Sequence, residues 1–195
     1  MDKNFSAIIL AAGKSERLGF PKLSLRFDKD FTFIERIANQ YKEFGCEEII
    51  VIVNEIGKQY IIKNKLQFPE NTKIILNKYP DWHRFYSLKI GVKSLSNMTP
   101  VFIHNADNPF VNHQVLNELA NNIINADYIN PEYEGKGGHP IFISEKIVQY
   151  IINESEDQLH FKEFLNQYKK LKVPVEDENV LVNINTLEEY RKYFE

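Results

Sequence analysis

The chain has 195 residues, with 24 Lys and Arg against 27 Asp and Glu, and a formal net charge of −3. No global basic excess recommends a nucleic acid or an anionic membrane as partner, so any anion-binding patch has to be local. The length suits one domain, residues 1–195, with a core large enough to need neither disulfide nor structural metal.

The first ten residues, MDKNFSAIIL, hold too short an apolar core for a signal peptide, and no run approaches the ~20 apolar residues of a membrane span. A cytoplasmic location is expected. The segment Ala7–Lys22, AIILAAGKSERLGFPK, begins as a strand buried on both faces and breaks into a glycine-bearing basic loop. Ala11, Ala12 and Gly13 are too small to block a ligand at the strand's end. Gly13 and Gly19 let backbone N–H groups approach an anion, and Lys14, Arg17 and Lys22 add positive charge, a combination suited to a polyphosphate. The spacing is neither GxxxxGK[ST] nor GxGxxG.

Further strands are predicted at Glu48–Asn54, Lys73–Asn77, Pro100–Asn105, Ala126–Asn130, His139–Ile143, Leu171–Val175 and Val180–Ile184. Phe33, Ile34, Ile37, Ala38 and Tyr41 share one helical face that ends near Gly45, and Ser87–Leu95 and Val115–Ile124 have similar spacing. Cys46, beside Gly45, reads as a buried thiol in a reducing compartment. This alternation predicts an open, mostly parallel α/β sheet with helices on both faces and ligands at the carboxyl ends of its strands.

The run PVFIHNADNPF from Pro100 is a buried strand ending in Asp107 and a proline. Asp107 would share the sheet edge with the glycine loop, where Mg²⁺ is held by one or two carboxylates plus phosphates and waters. Near the C-terminus Thr186 can cap a helix with Glu189 completing a capping box, and Asn183 and Asn185 alternate so that both can face one side. Gly135–Gly138 forms a glycine-rich turn before His139-Pro140.

Leu10–Lys22, LAAGKSERLGFPK, closely resembles the signature LAAGxSxRMGxPK of the MobA-like NTP transferases, with Leu18 in the Met position. The resemblance runs in order from Ala7 to about Tyr190 and implies a three-layer α/β/α Rossmann-like nucleotidyltransferase fold with a mixed, mainly parallel sheet. It implies nucleotide binding by Leu10, Ala11, Ala12, Gly13 and Ser87, a triphosphate grip by Arg17, and Lys22 at the reacting phosphates. Asp107-Asn108-Pro109 fits the family's DxP metal motif, and Asn183 and Asn185 stand in its NINTPED-like element, which makes them further Mg²⁺ ligands by resemblance. Gly138-His139-Pro140 is similar to a loop bordering the acceptor pocket.

Two departures stand out. His83 occupies a position where the family carries glycine before Ser87-Leu88, and Asp157–Leu165, DQLHFKEFL, lacks a family arginine whose charge Lys162 can replace but whose fork it cannot. The implied reaction is transfer of a nucleoside monophosphate from an NTP, CTP first and GTP next, to a small phosphorylated acceptor, with molybdopterin foremost. The implied cofactor is Mg²⁺ and the expected state a monomer. Sugar- or alditol-phosphate transfer, and a non-catalytic nucleotide-binding accessory role in cofactor maturation, are the alternatives.

Overall fold

The architecture follows from strands whose two faces are apolar in alternation. In the computed structural model, which describes residues 4–14, 18 and 20–195, the first run forms β1 (Ser6–Ala11). Ala7 and Ile9 point into the core on one side and Ile8 into the core on the other. The sequence then gives α1 (Phe33–Phe44), β2 (Glu48–Val53), α2 (Glu55–Asn64), β3 (Thr72–Leu76), α3 (His83–Lys93), β4 (Val101–Asn105) and α4 (His113–Asn122). After these come β5 (Tyr128–Tyr133), β6 (Lys136–Gly137), β7 (Ile141–Ile143), α5 (Glu145–Asn153), α6 (Phe161–Leu165), β8 (Lys170–Pro174) and α7 (Leu187–Phe194).

The eight strands make one sheet in the order β3-β2-β1-β4-β7-β5-β6, with β8 beside β5. Pairings among β3, β2, β1 and β4 are parallel, as is β5 with β8, while β7 is antiparallel to both β4 and β5. The mixed, mainly parallel sheet expected above is therefore present. α1 and α4 bury Ile34, Ile37, Tyr41, Leu116 and Leu119 against one face, and α3, α5 and α6 bury Phe85, Leu88, Ile147, Ile151 and Phe164 against the other. Each such side chain contributes about 1.5–3 kcal/mol by leaving water. Gly91 permits the close approach of α3, since a Cβ there would stand 3.0 Å from Ile8 Cγ2. Among the described residues no helix is long and apolar enough to cross a membrane.

The ends of α1 and α7 follow their sequences closely. Thr32 and Glu35 form a reciprocal capping box, Gly45 closes α1 at φ 98°, and Thr186 with Glu189 caps α7 as the spacing predicts. Several elements differ: the helix expected at Ser87–Leu95 runs from His83 to Lys93, the strand expected at His139–Ile143 is confined to Ile141–Ile143, and two other strands change as follows. The strand expected at Val180–Ile184 is a 3-10 turn at Glu178–Leu181 followed by chain outside any ladder. The Asp177 side chain accepts from Asn179 N and starts that turn, and the Val180 carbonyl is already taken by His139 N at 2.8 Å. The strand expected from Ala126 to Asn130 instead runs from Tyr128 through Pro131 to Tyr133, because the Pro131 carbonyl still accepts, from Gly138 N at 2.8 Å. Cys46 is 2% exposed, and burial pushes its thiol up to about 12, as fits an unreactive core residue.

Candidate functional site

Strand order reverses between β1 and β4, and in open α/β sheets the crevice at such a switch, beyond the carboxyl ends of the strands, is where ligands bind. A cavity of about 280 Å³ opens there. Its walls are Leu10–Gly13 at the end of β1, Lys22, Pro80, the first half of α3 with His83, Arg84 and Ser87, and Asn105–Asp107 at the end of β4. Six of the residues singled out from sequence, Leu10, Ala11, Ala12, Gly13, Lys22 and Ser87, thus meet Asp107 around one space.

Lys22 opens a short 3-10 turn and reaches across the cavity. Its Nζ donates to Asp107 Oδ2 at 3.1 Å and to Asn185 Oδ1 at 2.7 Å, with the lysine and aspartate side chains each about one-fifth exposed. The C-terminal segment is held at Asp107 by its backbone too, through Ile184 N to the Asp107 carbonyl at 2.7 Å. Asn183 goes elsewhere: its amide donates to the Leu181 carbonyl at 3.2 Å. The asparagines do not share a strand face because no ladder forms there. Arg17 lies outside the described residues.

Asp107 Oδ1 is buried with no hydrogen-bond partner among the described residues. An orphaned carboxylate oxygen costs folding energy unless something fills its coordination. Asp107 and Asn185 offer oxygen atoms, the donor type that hard divalent cations take. Among the described residues no three His, Cys, Asp or Glu side chains gather into a metal site, so an ion here would draw most of its oxygens from substrate and water. The donor set fits Mg²⁺ on those terms.

Behind Asp107, fully buried His104 clamps the turn. Its Nε2 lies 2.6 Å from the Asn108 carbonyl, which can only accept, so Nε2 carries the proton and Nδ1 accepts from the Tyr41 hydroxyl at 2.8 Å. Burial lowers the His104 pKa to about 4. The Asn108 amide then ties the turn to the Asn179 carbonyl at 3.1 Å.

His139 stands beside β4, where Asn105 Nδ2 donates to its Nε2 at 3.3 Å. Its Nδ1 is buried without a partner among the described residues, and burial again lowers the pKa to about 4. Gly138 packs away from the cavity: a Cβ there would meet the Val180 carbonyl oxygen at 2.5 Å. Only glycine lets the loop pass, so its visible role is to place His139.

At the rim, Ser87 accepts from Asn77 Nδ2 at 2.9 Å, and Lys14 pairs with Asp81 at 2.5 Å. His83 adopts φ 52°, the left-handed region that favours glycine, so the departure in residue type leaves the backbone in a glycine-like conformation. Its exposed ring lies 4.2 Å from that of His160, and Lys89 pairs with Asp157, which together fasten the 157–160 segment to α3. Lys162 is exposed on α6 and is not among the cavity's walls. Sequence reasoning missed Arg84. It keeps much of its surface open to the cleft, yet the surrounding walls desolvate the guanidinium enough to lower its pKa, with Asp107 opposing. The signal was a lone arginine three residues before Ser87, at a helix start with no acidic residue in its first turn.

The profile of the MobA-like NTP transferase domain matches residues 7–171, and the chain belongs to that family. Among individual relatives, the bifunctional enzyme IspD/IspF of Wolbachia pipientis wMel is 26% identical over 194 residues, covering 91% of this chain and 47% of that protein. A probable molybdenum cofactor guanylyltransferase of Clostridium perfringens is 33% identical over 125 residues, covering 63% and 56%. The chain spans about half the length of these curated relatives. The crystal structure of Rv0371C from Mycobacterium tuberculosis H37Rv, a complex with manganese, superposes with a TM-score of 0.76 at 17% identity over 98% of both chains, a likeness of fold.

Proposed function

We propose that residues 1–195 act as one nucleotidyltransferase domain that moves a nucleoside monophosphate from an NTP to a small phosphorylated acceptor and releases pyrophosphate. The observation that carries this reading is the convergence of Lys22, Asp107 and Asn185 at the mouth of the β1 and β4 strands, in a chain of this family. An acceptor phosphate oxygen forms a new bond to the α-phosphorus while the bond from that phosphorus to the β-phosphate oxygen breaks and pyrophosphate leaves with the electron pair. Such a transfer asks the protein chiefly to orient the groups and neutralise charge.

Leu10–Gly13, with the small residues Ala11, Ala12 and Gly13, leave room for the nucleotide beside Ser87, and Arg17 and Lys14 extend the positive loop toward the triphosphate. Lys22 turns from its carboxylate to the phosphate being transferred and stabilises charge there. Asp107 and Asn185 would hold Mg²⁺, which would supply charge to offset the phosphates; manganese in the complex of the mycobacterial neighbour supports a divalent ion. Asn183 belongs to the same segment as a lesser candidate. His139, placed by Gly138, faces the acceptor side. The acceptor we favour is molybdopterin, in keeping with the name of the clostridial relative, with CTP or GTP as donor. We take the reaction to be cytoplasmic, run by a monomer, without nucleic acid or membrane.

Pyrophosphate release, measured with Mg²⁺ across four NTPs against molybdopterin and sugar or alditol phosphates, tests this. Turnover with one pairing, lowered at least a hundredfold by Lys22→Ala in a folded protein, is expected. Near-wild-type turnover in the variant would remove Lys22 from the mechanism, and Mg·NTP binding without turnover for any acceptor would favour an accessory role.

A further inference from the structure

The cations of the cleft differ in how they are satisfied. Lys22 is held by Asp107 and Asn185, and Lys14 by Asp81. Arg84 lines the same cavity, yet it makes no hydrogen bond or ion pair with any described residue. A guanidinium presents five N–H donors in a rigid fork matched to carboxylate and phosphate oxygens. Asp107, the carboxylate among the cavity's described walls, gives Oδ2 to Lys22 and leaves Oδ1 without a partner among the described residues. Two complementary charged groups therefore share one space without closing on each other.

A second unsatisfied donor lies on the same side. With the Asn105 amide donating to Nε2, neutral His139 carries its proton on Nδ1, which is buried without an acceptor among the described residues. Asn105 is also a wall of the cavity. The imidazole and the guanidinium are near enough for the arginine charge to act on the histidine. Trp82 places no side-chain cap on α3, so the first turn adds partial positive charge beside Arg84.

We propose that Arg84, backed by Asn105 and His139, forms an anion subsite on the β4–β7 side of Asp107 that takes the acceptor's phosphate monoester, apart from the β1 loop that takes the triphosphate. The proposal rests on the transfer reading given above. Lys14, Arg17 and Lys22 all belong to the chain after β1, so the pyrophosphate end of the NTP is drawn there. In-line displacement needs the attacking oxygen on the opposite side of the α-phosphorus from the leaving group, and Arg84, on α3, is a cation among the cavity's described walls that comes from an element other than that loop. A bidentate arginine would bind two phosphate oxygens and leave the third to attack.

Inorganic phosphate is a direct probe of this subsite. Titration calorimetry of the full chain would measure phosphate affinity alone and under saturating Mg·CTP or Mg·GTP, for wild type, Arg84→Met and Arg84→Lys. The expected result is phosphate binding that persists beside the nucleotide, weakened at least tenfold by Arg84→Met and less by Arg84→Lys, with nucleotide affinity changed less than threefold. Phosphate affinity unchanged in Arg84→Met overturns the subsite. Equal losses for phosphate and nucleotide also overturn it and assign Arg84 to the triphosphate. Failure of wild type to bind either Mg·NTP would instead refute the transfer reading, which the phosphate titration without nucleotide does not depend on.

Discussion

His104 should make this protein's stability depend on pH in a way that one substitution removes. The ring is fully buried and neutral, donating to the Asn108 carbonyl and accepting from Tyr41, and its pKa falls from 6.5 to about 4. In the unfolded chain the imidazole titrates near its ordinary value, so between pH 6.5 and about 4 the unfolded state binds a proton that the folded state does not. Stability is therefore full above pH 6.5 and declines as pH falls, levelling only when the folded protein also takes up the proton. The shift corresponds to roughly 3 kcal/mol in total, of which about 2 kcal/mol should be gone by pH 5. His104→Gln keeps an N–H for the Asn108 carbonyl and removes the ionisation. Urea unfolding at pH 7.5, 6 and 5 should show wild type losing about 2 kcal/mol more than the variant over that range. Parallel stability curves, or a His104 resonance titrating near 6.5 by NMR, would refute the burial argument.

Two further outcomes are expected. Asp107→Asn keeps the side chain's volume and removes its charge, so divalent-dependent NTP binding should fall at least tenfold by calorimetry; an unchanged metal titration would move the ion elsewhere. Gly138→Ala drives a Cβ to 2.5 Å from the Val180 carbonyl oxygen, so urea unfolding should show a loss of about 1–3 kcal/mol, and an unchanged midpoint would contradict that close contact.

Local signals in the sequence carried far where their physics was local. The Gly45 stop and the Thr186–Glu189 box depend on neighbours within a few residues, and both stand as read. Asn183 and Asn185 required knowing whether Val180–Ile184 would find a strand to pair with. Asp177 and the loop at His139 take that segment's hydrogen bonds instead, which no local pattern discloses. His104 reads as one polar residue in an apolar strand until Tyr41, 63 positions away, supplies its donor. Arg84 lay in a stretch read for Ser87 and for the His83 departure. Its meaning depends on the start of α3 and the end of β4 meeting around one cavity, a tertiary event.

The charge balance of the cleft connects these pieces. Among its described walls Lys22 and Arg84 are the cations and Asp107 the anion, so the Lys22–Asp107 pair cancels and Arg84 alone leaves the lining positive. On the transfer reading proposed above, a triphosphate and a phosphorylated acceptor together bring several negative charges, more than that lining can offset. On the proposed reading the remainder would come from Lys14 and Arg17 and from a divalent ion at Asp107. On the same reading, a phosphate that drew Lys22 from Asp107 would free carboxylate oxygen for the ion. Nucleotide and metal should therefore bind with positive coupling, each raising the other's affinity by the same factor. With a formal net charge of −3 for the whole chain, the attraction for phosphate on this reading is local, set by Arg84 and Lys22 at the cleft rather than by the global charge.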